Sequence, residues 1–441
     1  IKLTAIQGPK PEDNRWYKIA QSAARVAMMV RNVSVTYKNT YAMSISGFRP
    51  EIGDMLGQTK GASGFAPGLD FAFGMTGDSY INKALDNGWL VSDSVVSPAT
   101  TNAQEDLQIR MTLEPVRDLK IDLNAGRTRN KSNQIQFMYE GMPQIQSGNF
   151  NMTVITIGSA FERRSASNGY SSSSFNRFLG NLDIIKNRIE NMYAGVPYQG
   201  QSGLNQQPLY QVNKYSSDVM IPAFLAAYTG RSASNSALDL FPGILSMMPN
   251  WRVTYSGLSK LEFFKKYFKS VTLNHAYRST YSVGSYSTFQ NFHSYMGDWG
   301  FVDDIQTGIP VPSSMYDVSA VSINEQFSPL LGVDVTFKNG ITTKVEYKTT
   351  RILNLSLAAN QIVESSTKDF VLGMGYKIMG LELFPGRNKK DSKNKISNDL
   401  ALRMDVSFRN QSALARDIQQ VTTQATSGNK ALKISFSADY T

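Results

Sequence analysis

The chain of 441 residues contains no cysteine. Its fold therefore needs neither disulfides nor thiolate metal sites, and thiol chemistry is excluded. Only two histidines are present, His275 and His293. No His/carboxylate cluster has metal-ligand spacing, so no metal or other cofactor is expected. A hydrolytic set built on a histidine with Asp298 or Asp303 lacks a nucleophile motif, and both histidines fall in strand patterns, so the sequence points to no enzyme. Long apolar runs are missing as well. Although 41% of residues are hydrophobic, no stretch approaches the roughly 20 apolar residues of a membrane helix. If the chain crosses a membrane, it does so with strands. The first residues, IKLTAIQGPKPEDNRW, carry no charged-then-apolar signal segment. The strand pattern Leu432, Ile434, Phe436 runs into Asp439, Tyr440 and Thr441 without a turn. Both ends are expected to be internal to a longer protein.

What the chain does contain is alternation. Leu107, Ile109, Met111 and Leu113 interleave with Gln108, Arg110 and Thr112, and successive strand side chains point to opposite faces. The same pattern recurs at Leu119, Ile121, Leu123 against Lys120, Asp122, Asn124. It returns at Val333, Val335, Phe337 against Asp334, Thr336, Lys338, and at Leu402, Met404, Val406, Phe408 against Arg403, Asp405, Ser407. Each set is close to the roughly 9–11 residues that a tilted transmembrane strand needs. The expectation is an all-β, transmembrane antiparallel β-barrel with long, partly helical inserts. Leu119, Ile121, Leu402 and Met404 would meet lipid, and Lys120, Asp122, Arg403 and Asp405 would face a watery lumen. The 21 Tyr and 23 Phe beside 4 Trp suit aromatic girdles. The formal charge of +10 permits anionic partners, but basic residues spread over a lumen and loops account for it without nucleic acid.

About fourteen strands are expected. Barrel strands are read over 1–48, 104–161 and 250–441, with inserts over 49–103 and 162–249. Val33, Val35, Tyr37 and Tyr41, Met43, Ile45 read as a hairpin turned at Lys38, Asn39 and Thr40. Asn339-Gly340 is the strongest hairpin signal, since both residues tolerate positive φ. Long single strands are expected through Val345–Ala359 and from Val271 towards Val283. The second insert should hold a helix over 175–193, with Phe178, Leu182, Ile185 and Ile189 at 3–4 spacing, and apolar pieces at 221–230 and 241–251. It reads as a cap, a plug or a surface loop. The Gly-rich 57–68 segment lacks the ending of a phosphate-binding loop and reads as a flexible insert. FFKKYFK at 263–269 reads as an interfacial anchor, and GRNKKDSKNK at 386–395 as a solvated turn.

Longer strings carry a resemblance. NWRVTYSGLSKLEFFKKYFKSVTLNHAYRSTYSVGSY at 250–286 and FSPLLGVDVTFKNGITTKVEYKTTRILNLSLAANQ at 327–361 resemble the SprA/Sov family, the outer-membrane translocon of the type IX secretion system. FAPGLDFAFGMTGD at 65–78 and VTTQATSGNKALKISFSADYT at 421–441 are similar to the same family. The resemblance implies that the chain is the C-terminal portion of a single-chain barrel of about 36 strands, truncated before the last strands. It implies a protein-conducting channel, integral to the bacterial outer membrane, that exports folded cargo proteins and serves protein secretion and gliding motility. Implied partners are outer-membrane lipids including lipopolysaccharide, a PorV-like small barrel at a lateral gate, a plug protein and the cargo. No catalytic residue is implied. The alternatives that the residues leave open are a self-contained porin or nutrient-uptake barrel, an outer-membrane enzyme, and a soluble β-adhesin whose apolar stripe faces a sandwich core.

Overall fold

The computed structural model describes residues 21, 28–51, 53–61, 64–77, 79–91, 97–138, 144–162, 164–194, 196, 211–304, 308–380 and 399–440. Strand β1 (Val30–Ser44) is followed by an insert with a small hairpin, β2 (Thr59–Gly61) and β3 (Gly64–Ala66), and helices α1 (Leu69–Ala72) and α2 (Tyr80–Asp86). Next come β4 (Ala99–Val116), β5 (Leu119–Ile135) and β6 (Ile145–Thr153). A second insert carries helices α3 (Ser173–Met192) and α4 (Ser217–Thr229), and leads to β7 (Asn250–Tyr255), helix α5 (Glu262–Tyr267) and β8 (Phe268–Thr288). A side sheet of β9 (Phe292–Met296), β10 (Trp299–Asp303) and β11 (Pro310–Ser314) precedes β12 (Tyr316–Val318). The chain closes with β13 (Ala320–Phe337), β14 (Ile341–Ser356), β15 (Gln361–Ile378), β16 (Leu400–Asp417) and β17 (Thr423–Tyr440).

The fold is mostly β. Twelve strands form one antiparallel sheet in the order β1-β4-β5-β6-β8-β13-β14-β15-β16-β17, with β7 against β5 and β8, and β12 against β8. Among the described residues, strands β1 and β17 end this order. The hairpin expected near Lys38 is absent. Lys38, Asn39 and Thr40 pair in register with Asp106, Glu105 and Gln104 inside one straight β1, because the next strand supplies the partners that a turn would have supplied. The Asn339-Gly340 turn is present between β13 and β14. Gly340 alone has positive φ, at 86°, and Asn339 instead accepts the Ile341 N–H through its side chain. The long strands expected around Val345 and Val271 are β14 and the 21-residue β8. Within the described residues of 57–68, β2 and β3 pair, and buried Gln58 exchanges hydrogen bonds with the Gly68 backbone. The 386–395 run lies outside the described residues.

Strand β6 pairs with the Arg127–Gln134 part of β5, whereas β7 pairs with its Leu119–Asn124 part. The two are halves of one strand position, and the second insert leaves the sheet at Thr153, in mid-strand. Such a break orphans ladder groups that must find other partners. The Ser279 N–H donates to Asn250 Oδ1 at 2.8 Å, the Gly126 N–H to Thr153 Oγ1 at 3.1 Å, and the Val154 N–H to the Ser279 carbonyl at 3.1 Å.

The insert packs back onto the sheet. Helix α3 starts at Ser172, whose hydroxyl accepts the Phe175 N–H. It buries Phe178, Leu182, Ile185 and Ile189, the stripe that the sequence displays. Helix α4, which ends at left-handed Gly230, adds Met220, Ala223 and Phe224. Both helices meet Phe150 and Met152 of β6, Tyr281 and Val283 of β8, and Val321 and Ile323 of β13 in one core. A smaller core under α2 holds Tyr80, Ile81, Ala99 and Ile135. Replacing Asn250 by Ala should leave the buried Ser279 N–H without a partner and cost about 1–3 kcal/mol. Denaturant unfolding of the variant would read that loss, and an unchanged midpoint would remove the repair role from Asn250.

Candidate functional site

Pairing register carries side-chain parity from strand to strand. In the half of the sheet beside the Asn339-Gly340 turn, Leu273, Val333, Val345, Leu372, Val406 and Ile434 form one row across six strands. The neighbouring row, on the opposite face, is Thr272, Asp334, Lys344, Gly373, Asp405 and Ser435. One face is an apolar band and the other is polar. The band is bare: Phe408 is 48% exposed, Ile434 61%, Phe436 70% and Val35 62%. Leu119, Ile121, Leu402 and Met404 all share the band's parity, and Lys120, Asp122, Arg403 and Asp405 all share the other.

The polar face is a lattice of both charge signs. Lys120 pairs with Asp122 at 3.1 Å, and Asp122 also accepts from Thr112. Lys344 and Lys348 flank Glu346 at 2.9 and 2.8 Å, and Arg409 holds Asp369 with two bonds at 2.8 and 3.2 Å. The Asp405 carboxylate lies over Gly373, where a Cβ would come within 2.7 Å of it. Glu346 is buried between its two lysines, whereas exposed pairs such as Lys120–Asp122 contribute little stability, about 0–1 kcal/mol each. Their consequence is a hydrated surface without a large field of one sign.

Both inserts lie on the band's face, in the other half of the sheet. There the strands carry a diagonal of buried charges that the sequence reading missed: Glu325 of β13, Arg351 of β14, Glu364 of β15 and Arg416 of β16 are each at most 4% exposed. Arg351 stands 2.7 Å from Glu325 and donates to the Ser159 carbonyl and hydroxyl of the insert. Thr156 and Tyr277 donate to the other Glu325 oxygen. Arg416 contacts Glu364 at 3.3 Å and donates to the Tyr170 carbonyl. Arg164 adds a 2.6 Å charge contact to Glu364 that lacks hydrogen-bond alignment. Glu162 caps α3, accepting from the Ser172, Ser173 and Ser174 hydroxyls and the Ser174 N–H. Burial works to raise its pKa, but those four bonds outweigh it and hold the carboxyl down at about 2. The sequence signal for these charges was a charge at the apolar parity of four long strands, which is costly unless each finds a partner.

The histidines do not meet. His275 Nδ1 lies 2.7 Å from the Leu330 carbonyl within the sheet, and His293 pairs with Asp303 at 3.2 Å on the side sheet. Asp298 instead accepts from Tyr316. Among the described residues no group of His and carboxylates could hold a metal, and no helix is long and apolar enough to cross a membrane. The chain matches no protein-family model and none of the curated proteins with which it was compared.

Breaking these buried pairs should be costly. Arg351→Met strands Glu325 and should lose about 3–5 kcal/mol. Combining it with Glu325→Leu should recover much of that loss in the same unfolding titration. The Glu162 contribution is complete above its ordinary carboxylate value of 4.5 and fades as pH falls from there towards 2. Protease resistance of the insert should drop through that window in the native protein. In Glu162→Gln it should be low and flat across it.

Proposed function

We propose that this sheet is a section of the wall of a transmembrane β-barrel in the bacterial outer membrane. The observation that carries the proposal is the bare apolar band, continuous across the sheet and backed by a charged, hydrated face. A soluble monomer rarely exposes an apolar surface of this extent, and a sandwich core would have a second layer over it. The band occupies roughly nine residues per strand, the length a tilted strand needs to cross a bilayer. The strands are about twice that long, so the wall rises well beyond the lipid on one side. Outer-membrane barrels have short inward turns and long outward loops. The turns at 117–118 and 338–340 lie beside the band, while both inserts lie at the other end. We therefore read the insert side as the cell exterior, with the strand ends at Ile378 and Leu400 on the periplasmic side. α5 and the exposed Phe263 and Tyr267 lie beside the band, where an interfacial anchor belongs.

The channel reading follows from width. Strands β1 and β17, at the two ends of the described order, each present one exposed apolar face, with Val33, Val35 and Tyr37 on β1 and Leu432, Ile434 and Phe436 on β17. The resemblance implies a barrel of about 36 strands, of which this sheet would supply ten strand positions. A barrel that wide leaves an aqueous lumen, lined here by Lys120, Asp122, Arg403 and Asp405. Together with the SprA/Sov resemblance, this supports a protein-conducting channel that exports folded proteins as the type IX translocon does, gated by a plug and a small lateral barrel. Transport of this kind relies on pore width and wall polarity rather than bond chemistry. On this reading the second insert flanks the wall on its outer side, so a plug must come from elsewhere.

Purification of the native particle in mild detergent tests the channel. A chain several times longer, with a small barrel and a plug bound, is the expected result, and a compact complex of this chain alone would favour the porin. For the wall itself, Met404→Arg should cost about 2–4 kcal/mol if the site lies near the bilayer midplane. Arg403→Leu, one residue away, should be mild. Equal assembly yields for the two in outer membranes would refute the assignment of faces.

A further inference from the structure

A cavity of about 900 Å³ opens on the band's face where the band meets the second insert. Its surroundings change row by row along the sheet. The last apolar row is Tyr347, Phe370, Phe408 and Leu432. The next row on the same face is Thr349, Lys368, Asn410 and Lys430, and the one after it is Arg351, Ser366, Ser412 and Gly428. Apolar surface thus gives way to two lysines and then to hydroxyls within two rows. Lys368 and Lys430 sit on strands two apart, about 10 Å from each other. Neither lysine is in an ion pair among the described residues. Arg164 and Arg351 also line the cavity, paired there with Glu364 and Glu325.

We propose that this cavity binds the phosphorylated sugar headgroup of an outer-leaflet glycolipid. The proposal rests on the reading above, in which the band meets lipid and the inserts lie outside. Acyl chains then lie along Phe370, Phe408 and Leu432, as the band requires. Phosphate oxygens meet Lys368 and Lys430 at the level where lipid headgroups begin. The volume is far larger than one phosphate needs. Its Ser366, Ser412, Thr349 and Asn410 side chains supply the hydroxyl and amide partners that sugar hydroxyls take. Bound there, the lipid bridges the wall and the insert and holds the insert against the outer face.

The test is native mass spectrometry of the detergent-purified protein, alone and with added bisphosphorylated lipid A, its dephosphorylated form, or inorganic phosphate. The variants are Lys368→Glu and Ser412→Trp, both at exposed positions, with heat-modifiability on gels as the control for a folded barrel. The wild type should retain lipid A through delipidation, with the dephosphorylated form and phosphate alone binding poorly. Both variants should retain it about tenfold less, the ratio that one lost charge-assisted contact carries. Equal retention by wild type and variants, or no retention by a wild type that stays heat-modifiable and detergent-dependent, overturns the pocket and leaves the wall reading intact. Tight binding of inorganic phosphate without lipid A overturns the glycolipid assignment. A wild type that is soluble without detergent and carries no lipid overturns the wall reading and the pocket together.

Discussion

Every residue in a strand must face one way or the other, and in this sheet that choice stays in phase through ten strand positions. The irregularity in β13 between Phe327 and Leu331 preserves parity, because the strand advances four residues while β14 advances two. The bulge in β17 near Ala425 flips parity only beyond the apolar band. A single-residue slip in a central strand would turn its apolar set to the charged face. The band, the charge lattice behind it and the landing site of the inserts all depend on that shared phase.

The inserts solve a second problem. A strand interrupted at Thr153 exposes backbone groups in the middle of the sheet, and side chains from Thr153 and Asn250 take over the missing ladder bonds. Above the break, the sheet offers its insert-side face as a core surface. Aliphatic and aromatic contacts supply the burial there, and the Glu325–Arg351 and Glu364–Arg416 pairs supply the register. An apolar interface alone tolerates sliding, whereas Arg351 must meet both Glu325 and the Ser159 backbone. Burying such ions is weak evidence for added stability. Its effect is to make any other docking of the insert leave an unpaired charge.

On the proposed reading, the two halves of each strand do different work. The half beside the turns is solvated by lipid on one face and water on the other, so its requirements are compositional and many sequences meet them. The other half stands clear of the bilayer and behaves like a soluble protein, with a packed core and named polar partners. The boundary falls within two rows, from Phe370 and Phe408 to Lys368 and Asn410 and then Ser366 and Ser412. Wall and insert meet at that boundary, and the large cavity lies beside it. Substitutions are therefore expected to be felt by polarity below the boundary and by shape above it.

The alternation was legible because it is local: period two over Leu402–Phe408 or Leu107–Leu113 assigns both faces without knowledge of any partner. The α3 stripe was legible for the same reason, at period 3.6. The false hairpin at Lys38 arose because Asn39 is a turn former by itself, and only the facing Glu105 and Gln104 keep that stretch extended. Asn410 and Ser412 lie in the far half of β16, and nothing within that strand says that a cavity lies over them. The Glu325–Arg351 and Glu364–Arg416 pairs were invisible because each charge sits about 25 or 50 residues from its partner, and a charge at an apolar parity cannot be told from a bulge until its partner is found. The sequence by itself determined which face each side chain of the alternating segments takes, since that follows from steric alternation along one chain. Only the tertiary structure decided which strands are neighbours, that one of them is split to admit an insert, and that the insert lies on the band's face, because those depend on pairing and burial between segments far apart in the chain.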